Sequence, residues 1–597
     1  MLNDYMITIP SQFFQTVSQH PNKDFLVAKK DGQWQGITYT QSSQFVRFFA
    51  QGLLELGLAK GERIAILSKN RPAWAIVDLA AMSADGISVP IHTTLSAAKI
   101  QYILEDSGAK VLFVAGEENI DKILTIRSRL KMLETIICLD GKFKEPGMML
   151  FDEVIELGKI CQKKLNWENG NPQEIASIVY TSGTTGEPKG VMLSHQNFLS
   201  NVEAATKAVP IIKEDSFLSF LPLSHVLERM AGYYTPMSKG ATIYYAESVK
   251  KLSDNLREVK PTVLVCVPRI FERVYEKILD KVKQGKALKK KLFFAALKAQ
   301  SELHHARREG RSLGTLAKLK ANLLDKLVCK KVRAGLGGHL RFAISGGASL
   351  SKQIARFFED LGIRIVEGYG LTETAPVVTV NRLEKYEFGT VGLPLEAVEV
   401  KISPDKEIMV KGGNVMPGYW KKPQETHQVL AADGWFATGD LGFLDEQGFL
   451  TIIGRKKEMI ITAGGKNVAP EPVENALQLS KYINQAMIIG NQRKFISSLI
   501  VPDFEKLKEF AKERQISYRE IRELLANDAV KHLFEQEIER QLREFSDFEK
   551  VKKFALIAQE FSQEAEELTP TLKLRRAVIG SKYKKEVEAM YKEGYGL

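Results

Sequence analysis

Apolar and polar positions alternate in blocks along this chain. From Arg63 onward an apolar run, Ile64 to Leu67, is followed by a helical stretch from Pro72 to Ala84. A second apolar run from Ile87 to Ile91, a helical stretch near Ser96 to Glu105 and a third run from Val111 to Val114 complete the pattern. Short apolar runs separated by helix-length segments predict a βαβαβ unit with a parallel sheet. A second alternation predicts strands at Phe217 to Leu221, Thr242 to Tyr245, Val263 to Val267 and Arg341 to Ser345, again with helices between them. Beyond Gly370 the segments become short and alternating, with turn signals such as Pro404-Asp405 and Gln447-Gly448, which predicts a small β-barrel over about 375–455. After Lys456 strands are expected at Ala486 to Ile489 and Phe495 to Val501, with helices from about Phe504 to Phe545. The fold class expected is α/β and multidomain. A large N-terminal domain, 1–455, holds two parallel-rich sheets with helices and the small barrel, and 456–597 form a small α+β C-terminal domain.

Composition changes the picture in one place. With 597 residues the chain is too long for a single core, and its hydrophobic and charged fractions, 44% and 26%, are those of a globular protein. The N-terminus lacks a basic stretch followed by an apolar one, and no apolar run approaches the length of a membrane span. Cys138, Cys161, Cys266 and Cys329 are scattered, with neither metal-ligand spacing nor a disulfide framework, so a reducing, cytoplasmic location is expected. The net charge of +12 is local: Lys277 to Arg333 hold about 17 lysines and arginines against about 4 acids. This basic helical insertion, about 277–335, carries apolar residues at helical spacing. It reads either as a solvated helical pair or as a face for an anionic membrane, which would place the protein peripherally at the inner face of that membrane. No nucleic-acid module accompanies the charge, so a nucleic-acid partner is not expected. The sequence leaves the oligomeric state open.

The chemistry is concentrated first in Tyr180-Thr-Ser-Gly-Thr-Thr-Gly-Glu-Pro-Lys-Gly190. Glycines let backbone N–H groups converge on an anion, Thr181, Ser182, Thr184 and Thr185 add hydroxyl donors, and Lys189 adds a mobile positive charge. A nucleotide-hydrolase P-loop would need a Gly-Lys-Ser/Thr order that is missing here. Gly183, Gly186 and Gly190 with Lys189 instead resemble the signature loop of the acyl-adenylate-forming ligases, the superfamily of acyl-CoA synthetases, adenylation domains and beetle luciferases. Later segments match that superfamily in order: Leu221-Pro-Leu-Ser-His-Val-Leu-Glu-Arg229, Ser345-Gly-Gly-Ala-Ser-Leu350, Glu367-Gly-Tyr-Gly-Leu-Thr-Glu-Thr374, Ala437-Thr-Gly-Asp-Leu-Gly442, the stretch Gly454 to Val468, and Leu568-Thr-Pro-Thr-Leu-Lys-Leu-Arg-Arg576. The resemblance covers nearly the whole chain and is closest in kind to the long-chain fatty acyl-CoA synthetases.

That resemblance implies ATP, Mg2+ and coenzyme A as cofactor and co-substrates and a fatty acid as substrate. A carboxylate attacks the α-phosphorus of ATP to release pyrophosphate, and the CoA thiol then attacks the acyl-adenylate. The loop Thr181 to Gly190 would grip the departing phosphates. Tyr369 would offer adenine an aromatic face beside Gly370, Thr372 a hydroxyl for the α-phosphate and Glu373 a carboxylate for Mg2+. Gly346 and Gly347 would let backbone approach the base or acyl chain, or simply form a tight turn. Asp440 and Arg455 would take the ribose hydroxyls, and Lys573 would bridge carboxylate and α-phosphate during adenylation. Lys457 occupies the hinge about which the family's mobile C-terminal domain turns, and Gly464 and Gly465 would line the pantetheine route. His225 would edge the carboxylate or acyl pocket, or pack as an ordinary core histidine.

An amino-acid substrate would need an acid near the Leu221 to Arg229 motif to meet its ammonium, and Ser224 and His225 stand there instead. Two other readings remain beside the acyl-CoA ligase: a fatty acyl-AMP ligase that serves a carrier protein, and a membrane-associated fatty-acid binder without catalysis. Tyr244 and Tyr245 read as acyl-tunnel gates or as core aromatics.

Overall fold

The computed structural model describes residues 7–141, 144–181, 187–569 and 573–592. An eight-stranded sheet runs, in spatial order, through Gly418–Tyr419, Lys189–Ser194, Ile175–Thr181, Ile87–Ile91, Arg63–Leu67, Val111–Val114, Thr135–Cys138 and Met148–Leu150. A nine-stranded sheet runs from Leu393–Pro394 through Val377–Val380, Arg364–Gly370, Phe342–Ser345, Val263–Cys266, Ser216–Ser219, Thr242–Tyr245 and Asp24–Lys30 to Gln33–Thr38. Both centres are parallel, as the block pattern predicts, and antiparallel pairs close every edge except that of Met148–Leu150, which pairs parallel.

Period-2 geometry explains how each strand serves two cores. In Arg63–Leu67, Ile64 and Ile66 face the large core between the sheets, while Ala65 and Leu67 face a second core on the other side. Val263 and Val265 likewise face the large core, and Leu264 and Cys266 a third. The helix Pro72–Ser83 lies inside the large core, buried from Trp74 onward, with Pro72 preset for its first turn. Tyr245 is buried in this core, and Tyr244 meets Trp34 edge-on with ring centroids 5.8 Å apart, so both act as packing aromatics.

One polar network is sealed in that core. The Arg229 guanidinium pairs with Asp78, both fully buried, and donates from Nη1 to Ser177 Oγ at 2.7 Å. Asp78 also accepts from Ser88 Oγ at 2.7 Å and from the Tyr234 hydroxyl at 2.8 Å. Trp74, Phe198 and Tyr234 lie around the guanidinium within 5.6 Å of their ring centroids. The π-helical turn Met230–Tyr234 follows Arg229 directly. Strand, helix and sheet seam are therefore fixed to one another at the helix that begins after His225.

The expected small barrel takes the form of a four-stranded antiparallel half-barrel, Val398–Ile402, Glu407–Gly412, Phe436–Leu444 and Leu450–Arg455. The basic insertion folds as helices Pro268–Lys283, Ala287–Arg308 and Thr315–Leu324 with a π-helical turn Asp325–Cys329. Beyond residue 456 the chain builds its own three-stranded sheet, Ile483–Ile489, Ser497–Pro502 and Lys553–Leu556, with two apolar clusters of its own. Polar contacts join this part to the rest: Lys99 to Glu566 at 2.7 Å, Lys506 to Asp280 at 3.1 Å, Asn475 to Ser349 at 3.2 Å and Arg269 to the Asn484 carbonyl at 3.0 Å. At the junction itself Lys456 reaches Asp405 and Glu407, at 2.5 and 2.8 Å.

Candidate active site

The carboxyl ends of the parallel strands bring the motifs together. Thr181 closes the strand Ile175–Thr181 and pairs in register with Lys189, the first residue of the returning strand. The tip of this hairpin, with Ser182, Gly183, Thr184, Thr185 and Gly186, lies outside the described residues. Lys189 forms an ion pair with Glu425, and its ammonium sits 5.0 Å from the Tyr419 ring centroid. Tyr419 in turn donates its hydroxyl to Glu373 Oε1 at 2.9 Å. The cation of the loop and the proposed metal carboxylate therefore share one aromatic neighbour on the sheet-edge strand Gly418–Tyr419.

Thr372 and Glu373 occupy the short 3-10 helix Thr372–Thr374, which is pinned where Met416 N donates 2.8 Å to the Glu373 carbonyl. Gly370, just before it, has no alternative: a Cβ there would stand 1.7 Å from the Pro376 carbonyl oxygen. Gly347 adopts φ +85, a left-handed turn after the strand Phe342–Ser345, while Gly346 lies against Leu227 of the histidine motif. The turn reading thus holds at Gly347, and the neighbour of Gly346 is a side chain of the protein itself.

Register places Asp440 directly opposite Arg455 in the half-barrel. Arg455 Nε meets Asp440 Oδ1 at 2.9 Å, and the Tyr369 hydroxyl donates to Asp440 Oδ2 at 2.7 Å. Burial opposes the charge on Arg455, but Asp440, Tyr369 and Glu373 outweigh it and raise its pKa. Burial, then Asp440, raises Tyr369. One carboxylate thus fixes the aromatic plane and the guanidinium together.

Lys573 approaches this group from the C-terminal side. Its backbone is paired with Thr569: Lys573 N donates to Thr569 Oγ1 at 3.0 Å, and the Lys573 carbonyl accepts from Thr569 N at 2.8 Å. Arg576, one turn on, holds Glu474 through two bonds of 2.5 and 2.7 Å. Water still reaches the Lys573 side chain, yet protein crowds around it. That burial, followed by the positive charge of Arg455, lowers its pKa against the pull of Glu471, Asp440 and Glu458. A compact ammonium within electrostatic reach of Arg455 and of three carboxylates is suited to meet a new anion.

His225 lies at the inner end of the same space, at the N-terminus of Val226–Arg229. Burial, then His92 and Lys573, depress its pKa to about 4, so the imidazole is neutral. His92 was not singled out by any sequence motif. It stands 133 positions from His225 and follows a strand of the eight-stranded sheet, whereas His225 follows one of the nine-stranded sheet, so the meeting of the two sheets brings them within electrostatic reach. Tyr419 and Glu425 were missed for the same reason. Glu228, inside the histidine motif, is no partner for a substrate ammonium. Burial raises its pKa to about 8, and its Oε1 is bonded to Ser219 at 2.6 Å.

Other expected residues lie apart in this arrangement. Gly464 and Gly465 form the exposed turn between Ile460–Ile461 and Asn467–Val468, with nothing near a Cβ at either position. Lys457 is exposed in the 3-10 helix Lys456–Glu458. Among the described residues no three His, Cys, Asp or Glu side chains cluster as a metal cage. Glu373 offers one hard carboxylate beside the phosphate loop, which fits Mg2+, an ion held by one or two carboxylates and substrate phosphates.

Comparison with known proteins covers both parts of the chain. Residues 13–420 match the family model described as AMP-binding enzyme, and 457–594 match that described as AMP-binding enzyme C-terminal domain. The long-chain fatty acid CoA ligase FadD15 of Mycobacterium bovis is 34% identical over 98% of this chain and 99% of its own length. The long-chain fatty acid CoA ligase ACSBG2 of Xenopus laevis is 32% identical over 98% of this chain and 84% of its own. The crystal structure of the anthranilate CoA ligase AuaEII in complex with anthranoyl-AMP superposes with a TM-score of 0.75 at 20% identity, covering 98% of both chains.

Proposed function

Because this chain belongs to the AMP-binding enzyme family, we propose that the space between its large N-terminal part and residues 456–597 is the ATP site, with a separate task for each charged group. The chain is a long-chain fatty acid CoA ligase. It uses ATP, Mg2+ and CoA to convert a fatty acid to acyl-AMP and then to acyl-CoA. In the first half a carboxylate oxygen bonds to the α-phosphorus as the bond to the β-phosphate bridge breaks and pyrophosphate leaves. In the second the CoA sulfur bonds to the acyl carbon, and AMP leaves with the electron pair of the C–O bond. Neither half needs a covalent enzyme nucleophile, so positioning and charge stabilisation carry the rate.

The observation that supports the residue assignment best is Lys573 among Arg455, Asp440 and His225. In the proposed scheme Lys573 bridges the carboxylate and the α-phosphate while Thr372 donates to the latter. Lys189, leaving Glu425, joins the hairpin tip in holding the pyrophosphate. Tyr369 backs the adenine, and Asp440 and Arg455 hold the ribose. Glu373 would hold Mg2+, which when bound offsets phosphate charge. The domain boundary falls at 455/456 with Lys457 as pivot, and turning about it would bring Gly464 and Gly465 to the pantetheine arm.

The test is to supply ATP and fatty acids of graded length and follow pyrophosphate, acyl-AMP and acyl-CoA. Pyrophosphate with long chains and acyl-CoA upon CoA addition are expected. Acyl-AMP that never becomes acyl-CoA would favour delivery to a carrier protein, and no pyrophosphate would leave a binder.

The insertion supports a second element of the proposal, peripheral binding of a cytoplasmic enzyme to the inner face of an anionic membrane. Among the described residues, seven of the sixteen exposed large apolar side chains fall in it: Leu288, Leu292, Phe294, Leu316, Leu319, Leu323 and Leu327. Leu316, Leu319, Leu323 and Leu327 form one helical stripe facing solvent, while Ala321 and Leu324 face inward. Lys286, Lys289, Lys290, Lys291, Lys320 and Lys331 flank these residues without a carboxylate at ion-pair distance among the described residues. Apolar side chains amid uncompensated lysines match an anionic lipid interface. Among the described residues no helix is long and apolar enough to cross a membrane. Cosedimentation with vesicles should therefore require an anionic lipid and fall several-fold when Leu316, Leu319 and Leu323 are replaced by serine. Equal sedimentation with neutral vesicles, or none with either, would remove the membrane from the proposal.

A further inference from the structure

His92 follows the strand Ile87–Ile91, whose parallel neighbour Ile175–Thr181 leads into the phosphate loop. The ring is anchored on one side only. Nδ1 lies 3.1 Å from Thr94 Oγ1, whereas Nε2 is buried without a hydrogen-bond partner among the described residues. With the Thr94 hydroxyl donating to Nδ1, the proton resides on Nε2 and makes it a donor. The space it adjoins is not apolar. His225 lies within electrostatic reach of both His92 and Lys573, so two imidazoles and one ammonium converge at the inner end of the cleft.

A buried N–H with no acceptor costs free energy in every unliganded molecule, so the unpartnered Nε2 calls for an explanation. An anionic acceptor is favoured, since His225, within reach of His92, is also within reach of the Lys573 ammonium. Burial keeps the ring neutral, with a pKa lowered to about 4. A neutral donor suits a nucleophilic carboxylate, because it orients an oxygen without the tight ion pairing that an imidazolium would impose.

We propose that His92 Nε2–H binds the carboxylate of the fatty acid opposite His225 and so aims its attacking oxygen at the α-phosphorus. This rests on the assignment of the Lys573 end of the cleft to the substrate carboxylate. His92 is a contact for substrate on the N-terminal side, and it stays in place when the C-terminal domain turns away. Its contribution therefore belongs to adenylation and to fatty-acid binding, not to thioester formation.

The experiment compares His92→Phe, which fills the ring volume without a donor, with His92→Gln, which restores an N–H. For each, pyrophosphate release is measured with fatty acid and ATP varied in turn, and thioester formation is measured from supplied acyl-adenylate. His92→Phe is expected to lower kcat/KM for fatty acid about 10- to 100-fold, as for a lost hydrogen bond to a charged group, with KM for ATP and the second half-reaction unchanged. His92→Gln should recover most of that loss. A rise in KM for ATP instead would assign the ring to the nucleotide and overturn the proposal. Wild-type kinetics in His92→Phe, or parallel loss of both half-reactions in both variants with a lowered melting temperature, would overturn it as well. Lys573→Ala tests the underlying site assignment separately, so the two failures are distinguishable.

Discussion

Replacing Lys573 by alanine will lower acyl-adenylate formation about a thousandfold, the upper range for removing one preorganised charge donor, while thioester formation from supplied acyl-adenylate keeps its rate. The asymmetry follows from where the ammonium sits. Burial, then Arg455, lowers its pKa against the pull of Glu471, Asp440 and Glu458. In the proposed scheme an incoming carboxylate and the α-phosphate add negative charge beside it, and only the adenylation half presents both. Lys573→Arg should recover little, because a planar guanidinium does not replace a compact ammonium at a single crowded cluster of oxygens. The measurement is pyrophosphate release beside single-turnover acyl transfer to CoA. Equal loss in both halves would contradict the assigned role.

Replacing Asp78 by alanine will destabilise the N-terminal part by about 3–5 kcal/mol, the range for leaving one partner of a buried ion pair uncompensated. Arg229 would keep its bonds to Ser177 and the Tyr234 hydroxyl but lose the only carboxylate it pairs with among the described residues. Desolvation then falls on a full charge surrounded by Trp74, Phe198 and Tyr234. Asp78→Leu combined with Arg229→Met should recover much of the loss, since removing both charges removes the penalty as well. Apparent melting temperatures of the single and double variants decide the matter. A double variant no better than Asp78→Ala would show that shape, not charge, is what the site requires.

How much of this was legible in the sequence differs from feature to feature. The strands around Ile64, Ile87, Val111 and Val263 were readable because period and length leave few alternatives, and their ends shift by only a residue or two. The pairing of Asp440 with Arg455 required a register that neither motif contains alone. The neutrality of Glu228 was hidden because a carboxyl reads as charged until its surroundings are known. Lys189 read as a free cation, yet it is held by Glu425 from a helix more than two hundred residues away. His92 carried no signal, since its meaning lies in how two separate sheets meet. The outward leucine stripe of the insertion was half legible: periodicity gave the stripe, but not the side that faces solvent.

The contacts that hold residues 456–597 against the rest include Lys99 to Glu566, Lys506 to Asp280, Arg269 to Asn484, Asn475 to Ser349 and Lys456 to Asp405 and Glu407, and Leu479 is the one C-terminal side chain that packs into an N-terminal apolar cluster among the described residues. Ion pairs and hydrogen bonds near a surface each contribute little, because water replaces a lost partner at modest cost. In the proposed scheme, turning residues 456–597 about Lys457 breaks mostly contacts of this kind. Such a turn is one that a ligand in the cleft can bias.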